Sequence, residues 1–422
     1  MRLPVALRLY RWLTAFSAPL SGWLLSRRAS RGKEDRQRLS ERFGRSSTKR
    51  PAGTLLWLHG ASVGESLILL ELVRRLSETT GWRFLVTTGT TTSAGLMQRE
   101  LPDGAIHQFV PIDRPACVKR FLDHWQPDAA VFVESELWPN LLIEIRRRAI
   151  PATLVNARMN AKSLDSWRKR RSSARYLLAA FRWIGAADQR TAAGLSAILG
   201  ETVAHPGNLK LQIGSSGAQP DNLSALVEAL GNRQIWLAAS THDGEDEIVL
   251  EAARNFREAH GNALLILAPR HPERGDDIAR LITSRGETFA RRSNGEIPAP
   301  DDQVWLADTL GEMELWYGLA ATSFIAGSLI DGIGGHNPIE ATRAGSAVVT
   351  GPFTASFDDI YTAYRENGGV MIAQNADHIA EALVSDSQTL VAGARAALAQ
   401  LTSGAMEETL TAIEALLVEP GK

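Results

Sequence analysis

Short, continuously apolar runs alternate with helix-length segments along most of this 422-residue chain. Runs at 54–59, 84–88, 106–110, 129–134 and 152–156 predict strands, and 66–78, 115–125 and 140–149 predict helices between them. A strand with one wet face alternates apolar and polar residues. These runs do not, so both faces are buried, which calls for a parallel sheet between helix layers. A break rich in Gly, Ser and Pro at 206–221 reads as a linker. The rhythm then restarts, with strands at 235–239, 263–268, 304–307, 323–326 and 347–350 and helices at 245–260, 273–285, 312–320 and 338–344. The predicted fold class is α/β, two doubly wound units in tandem whose ligand crevices lie at the carboxyl ends of strands and face each other across a cleft.

The charge is unevenly spread. Residues 1–50 hold 13 Lys/Arg against 3 Asp/Glu, whereas the remainder holds 33 against 44. A basic head on an acidic body points to an anionic surface met by the head alone. Lipid fits better than nucleic acid, because Leu3 to Leu25 is apolar and aromatic, with Trp12, Phe16 and Trp23 in it. The uncharged stretch 12–25 spans 14 residues, short of the roughly 20 that a crossing helix needs. Residues 1–30 are therefore expected to form a membrane-associated helix lying in the interface rather than spanning it. The plainer alternative is a helix packed only on its own domain. The lone cysteine, Cys117, rules out an internal disulfide and a cysteine zinc site.

Chemistry-bearing residues gather where predicted strands end. Trp57 to Glu65, W-L-H-G-A-S-V-G-E, runs from a strand through a small-residue turn into a helix. Glu65 there is either functional or a complement to the helix dipole. Val133 to Leu141, V-E-S-E-L-W-P-N-L, sets Glu134 and Glu136 at the next strand's rim; its plain reading is a capping cluster for the following helix. Thr87 to Ala94, T-T-G-T-T-T-S-A, could bind a phosphate or a sugar, or cap its own helix.

The second half repeats the theme four times. Ser240-Thr241-His242 ends one strand, Arg270-His271-Pro272 the next, Gly311-Glu312-Met313 opens a helix, and G-G-H-N-P-I-E runs from Gly334 to Glu340. Glycines followed by a helix start near Pro338 make an anion site, with Glu340 one turn on to reach a ribose diol. Four such elements in one domain suggest a sugar nucleotide. No H-E-x-x-H or D-x-D pattern is present, so no catalytic metal and no cofactor is expected; nor is there a Walker loop or a G-x-G-x-x-G after the first strand.

Taken in order, S-V-G-E, T-T-G-T-T-T-S-A, P-I-D-R-P, E-S-E-L-W-P-N-L, N-A-R-M, G-N-L-K, S-T-H-D-G-E-D-E, R-H-P-E-R, D-T-L-G-E and G-G-H-N-P-I-E resemble the 3-deoxy-D-manno-octulosonic acid (Kdo) transferases. The resemblance runs from the N-terminal segment to about residue 360. It implies a GT-B fold of two Rossmann-like domains: 31–212 for the acceptor and 213–422 for the CMP-sugar. It implies metal-independent, inverting transfer of Kdo from CMP-Kdo onto a lipid A precursor at the cytoplasmic face of the inner membrane. By resemblance Glu65 is the base, Glu134 and Lys210 stabilise the transition state, and CMP is held by Ser240, Thr241, Arg270, His271, Gly311, Glu312, Met313, Asn337, Pro338, Ile339 and Glu340. An additional residue within 330–333, and Ser356 where the family has Asn, depart from the family pattern on the donor side. The alternatives are another GT-B transferase or epimerase, or a catalytically silent membrane-docked GT-B binding protein.

Overall fold

The computed structural model describes residues 2–213, 223–402 and 404–417. The part of the expected linker from 214 to 221 lies outside these. By its internal contacts the chain divides into two units, Met1–Gly214 with Thr402–Lys422, and Ser215–Leu401.

The first unit carries β1 (Leu55–His59), β2 (Arg83–Thr88), β3 (Ile106–Phe109), β4 (Ala129–Val133), β5 (Ala152–Ala157) and β6 (Phe181–Ala186). They pair in parallel in the order β3-β2-β1-β4-β5-β6. Every residue of β1 and β4 is buried, which is why these strands read as unbroken apolar runs. On one face Trp57 packs against Phe121 and Phe132, with ring centroids 5.0 and 5.2 Å apart. On the other, helix Val63–Thr79 lays down Ile68, Leu69, Leu72, Val73 and Leu76, an i, i+1, i+4, i+5, i+8 stripe buried on the sheet.

The second unit carries β7 (Gln234–Thr241), β8 (Ala263–Pro269), β9 (Phe289–Arg291), β10 (Val304–Leu306), β11 (Thr322–Ile325), β12 (Ala347–Thr350) and β13 (Val370–Ile372). The order β13-β12-β11-β7-β8-β10-β9 is again wholly parallel. In each sheet the direction of winding reverses once beside the first strand, between β1 and β4 and between β7 and β11. Connections leaving those neighbours turn to opposite faces, which opens a crevice at their carboxyl ends.

Four features differ from the expected organisation. The N-terminal segment forms two helices, Val5–Phe16 and Ala18–Ser30, and the first is docked on the first unit. Leu7 joins the core, the Tyr10 hydroxyl donates to Asp113 at 3.0 Å, and Arg11 pairs with Glu144 at 2.5 Å. The tail does not stay with the second unit: helix Ala405–Glu414 buries Ala405, Met406 and Ile413 with Leu56 and Val131 of the first. Strands β6, β9 and β13 were not foreseen; all three lie at sheet edges. The helix expected at 338–344 begins at Ile339 and spans only six residues, so its contribution as a dipole is small.

Candidate functional site

The turn after β1 is organised around Glu65. Ser62 caps helix Val63–Thr79, its hydroxyl oxygen accepting from Glu65 N–H at 3.3 Å. Glu65 answers by accepting from the Ser62 hydroxyl at 2.6 Å and from Ala61 N–H at 2.8 Å. This is a reciprocal cap. It holds the carboxylate in one pose while leaving lone pairs on both oxygens. Gly60 and Gly64 are there for space: a Cβ on Gly60 would sit 2.9 Å from Glu65 Cβ, and one on Gly64 would meet Lys210 Nζ at 3.2 Å. Lys210 therefore lies directly over the turn that presents Glu65.

Glu134 follows β4 with φ of 59°, a left-handed backbone that disfavours any residue with a side chain. Its carboxylate pairs with Lys210. The lysine is placed by two asparagines: Asn156 Oδ1 accepts from Leu209 N–H at 2.8 Å and Asn208 Oδ1 from Lys210 N–H at 3.1 Å. Asn156, at the end of β5, is itself left-handed with φ of 52°. Strain at successive strand ends persists only where the surroundings enforce it.

The capping alternative for Glu134 and Glu136 does not hold. Asp113 caps the following helix, Pro139–Arg147, accepting from Asn140 N–H at 3.0 Å and Leu141 N–H at 2.9 Å. Burial raises the Asp113 carboxyl, and those N–H donors oppose the rise. Glu136 instead faces His59 Nε2 at 3.4 Å and accepts from Trp138 Nε1 at 2.5 Å. Burial would lift its carboxyl, but the contacts from His59 and Trp138 outweigh that and hold it below the usual carboxylate range. The threonine-rich turn does act as a cap: Thr90 accepts from Ser93 N–H at 3.1 Å, and Gly89 N–H braces Ala61 O at 3.2 Å.

In the second unit the crevice between β7 and β11 is tied together by Glu245, a residue the sequence reading placed only on a helix. Its fully buried carboxylate accepts from four backbone N–H groups: His242 at 3.0 Å, Gly327 at 2.7 Å, Ser328 at 3.0 Å and Leu329 at 3.0 Å. That aligns the end of β7, where Ser240 is left-handed and Thr241 buried, with the loop after β11. Arg270 and His271 stand exposed at the end of β8. Gly334 and Gly335, at φ of 90° and 78°, let the loop pack on 353–356; a Cβ on Gly334 would strike Ser356 Oγ at 2.4 Å. Asn337 Oδ1 accepts from Ile339 N–H at 3.1 Å, ahead of buried Pro338 and exposed Glu340.

The Gly311–Met313 element departs from the expected picture. Gly311 is left-handed with open space around it, but the Glu312 carboxylate is held by Arg292 at 2.6 Å and by the Thr309 hydroxyl. Arg292 in turn lies 5.7 Å from the Trp316 ring. Glu312 thus has structural partners of its own, while the space beside Gly311 is open. Among the described residues no three His, Cys, Asp or Glu side chains are grouped to hold a metal ion.

Sequence comparison adds to this geometry. Residues 37–213 match the family described as 3-deoxy-D-manno-octulosonic-acid transferase (kdotransferase). The 3-deoxy-D-manno-octulosonic acid transferase of Rickettsia bellii is 35% identical, covering 84% of this chain and 84% of that protein. That of Haemophilus influenzae is 34% identical over 84% of this chain and 85% of its own. A probable mitochondrial transferase of the same name from Arabidopsis thaliana is 34% identical over 87% and 84%. In fold, the chain resembles a glycosyltransferase of Rickettsia africae, with a TM-score of 0.59 at 11% identity over 87% of this chain and all of that one. A UDP-GlcNAc 2-epimerase of Neisseria meningitidis gives 0.59 at 13% identity over 86% and 100%.

Proposed function

The chain belongs to the 3-deoxy-D-manno-octulosonic acid transferase family, a family of glycosyltransferases, and we propose that it moves Kdo from CMP-Kdo onto a hydroxyl of a lipid A precursor, handling the acceptor in its first unit and the nucleotide in its second. The observation that carries the reading is the meeting of Glu65 with the Glu134–Lys210 pair at the winding reversal of the first sheet. Three chain segments converge there on two carboxylates and one ammonium, and the backbone of Glu134 is held left-handed to present its side chain.

In the proposed reaction Glu65 exchanges its contact with Ser62 for the acceptor hydroxyl and takes its proton as the oxygen attacks the anomeric carbon. The bond from that carbon to the phosphate oxygen breaks, its electron pair leaving with CMP. Positive charge on the sugar ring is met by Glu134, and Lys210 offsets negative charge on the Kdo carboxylate or the departing phosphate. A positioned base contributes about 10²–10⁴-fold. Preorganised charge adds about 3–4 kcal/mol per group. CMP release from CMP-Kdo tests the whole: release should depend on a lipid A precursor and on intact Glu65. Release that is absent with both substrates, or equal with and without acceptor, defeats the reading.

The same proposal places the protein on the cytoplasmic face of the inner membrane. Leu9, Trp12, Leu13, Phe16, Leu20, Trp23 and Leu24 are large apolar side chains left exposed on the two N-terminal helices, with Trp12 and Phe16 at 59% and 69%. Arg27, Arg28 and Arg31 follow. Among the described residues no helix is long and apolar enough to cross a membrane. An apolar face followed by arginines suits insertion into an anionic interface. Vesicle flotation with Trp12→Glu/Phe16→Glu is the check, because removing the helices would also strip Leu7 from the core. Undiminished flotation of that variant contradicts the assignment.

A further inference from the structure

Three histidines meet at the second unit's crevice without a role in the reaction as written. His242 Nε2 lies 2.8 Å from His336 Nε2, and with centroids 5.1 Å apart and planes 10° apart the two rings meet end to end in nearly one plane. His271 stands edge-on to His242 at 6.1 Å. Two ring nitrogens at that distance must share one proton, since two bare lone pairs or two N–H groups would repel. One further proton can be added at an outer Nδ1 without breaking the contact. A doubly charged couple is unfavourable.

The fold holds this couple in place. Gly327 makes room for it, as a Cβ there would lie 2.8 Å from the His336 ring. The Tyr361 hydroxyl donates to His336 O at 2.8 Å, and His242 N–H is bound by Glu245 at 3.0 Å. Its charged neighbours are one carboxylate, Glu245, already engaged by four N–H donors, and the cations Arg270 and Arg274. Arg274 is shared with Asp246 and Asp243, and His271 leans on Glu273 at 3.5 Å. Burial lowers His242, with Glu245 opposing and His271, Arg274 and Arg270 adding to the fall. Burial, then His242 and Arg270, hold His336 at about 4, so without an anion the couple favours its uncharged form. An anion beside it reverses that balance.

We infer that the His242–His336 couple is the group that answers the phosphate of the nucleotide, taking up one proton as that phosphate gains its second negative charge. In the transfer, a phosphodiester monoanion becomes a phosphomonoester dianion when the bond to the sugar breaks. The compensating proton comes from solvent and returns to it when CMP leaves, while the acceptor's proton goes to Glu65. The inference rests on the second unit being the nucleotide site.

Calorimetric titration of CMP into the full chain at pH 7.5, in two buffers of very different ionisation enthalpy, separates the two ideas. The expected result is a buffer-dependent heat equivalent to uptake of about one proton per CMP, and none with cytidine. His336→Asn and His242→Asn should each abolish the uptake and weaken CMP binding about tenfold. CMP binding with equal heats in both buffers overturns the inference and leaves the nucleotide site standing. Unchanged uptake in both variants overturns it too. No CMP binding by the unaltered protein instead rejects the underlying site assignment. Should neither variant fold, the CMP and cytidine titrations of the unaltered chain still decide.

Discussion

The crevice of the first sheet is ringed by carboxylates, Glu65, Glu134 and Glu136, with Lys210 paired to Glu134; that of the second is ringed by Arg270, His242, His271 and His336. The winding reversal is the same in both, yet the side chains presented there have opposite tendencies toward protons. The way each loop is held differs as well. In the first unit the strain falls on residues with side chains, Glu134 and Asn156, whereas in the second it falls largely on glycines, with Glu245 gathering the freed N–H groups. In the proposed reaction one topology thus serves both for removing a proton and for receiving an anion, because loops and not strands carry the chemistry.

The sharpest way to break this division is Glu65→Gln. Turnover should fall about 10²–10⁴-fold while CMP affinity is unchanged. The variant also sets an amide N–H₂ against donors of the cap, so urea unfolding should show a loss of about 1 kcal/mol. A variant that keeps most of its turnover at saturating acceptor would reduce Glu65 to a cap and move attention to Glu136. Lys210→Gln comes next. It leaves Glu134 without its cation, and turnover is expected to drop about 10²-fold with CMP affinity nearly intact. A loss confined to CMP affinity would mean that the lysine works for the nucleotide.

Arg270→Ala reverses the pattern, raising the CMP dissociation constant about tenfold through loss of one exposed cation. Equal weakening by Glu65→Gln would erase the distinction between the units. The smallest effect concerns acid. Burial and neighbouring cations push His107 in the first unit to about 3 and His336 in the second to about 4, both from 6.5. The unfolded chain therefore binds more protons between those values, and stability present above about pH 6.5 is lost as pH falls through them. His107→Gln should flatten the pH dependence of the unfolding midpoint between pH 6.5 and 4. An unaltered slope would show that His107 titrates normally.

Much of the first unit was legible because β1, β4 and β5 are buried on both faces and announce themselves as apolar runs. Edge strands escape that logic: β6 exposes Arg182, and β9 and β13 have three residues each, too few to display a period. Glu245 escaped for a different reason. An acidic residue at a helix start is ordinary in sequence, and only the approach of Gly327, Ser328 and Leu329 reveals a buried acceptor with four donors.

From its residues alone the chain determined its class, the two windings, the family and the loops in which Glu65, Glu134, Arg270 and Glu340 reside, since all of these are written in local periodicity and in the order of short motifs. Only the tertiary structure decided that Lys210 crosses Gly64 to reach Glu134, that Asp113 caps the helix for which Glu134 and Glu136 were candidates, that His242 meets His336, and that the tail helix returns to the first unit. Each is a contact between segments far apart along the chain. An isolated segment can show which face it must bury or which charge it carries, but the partner is selected by the free energy of the whole assembled core.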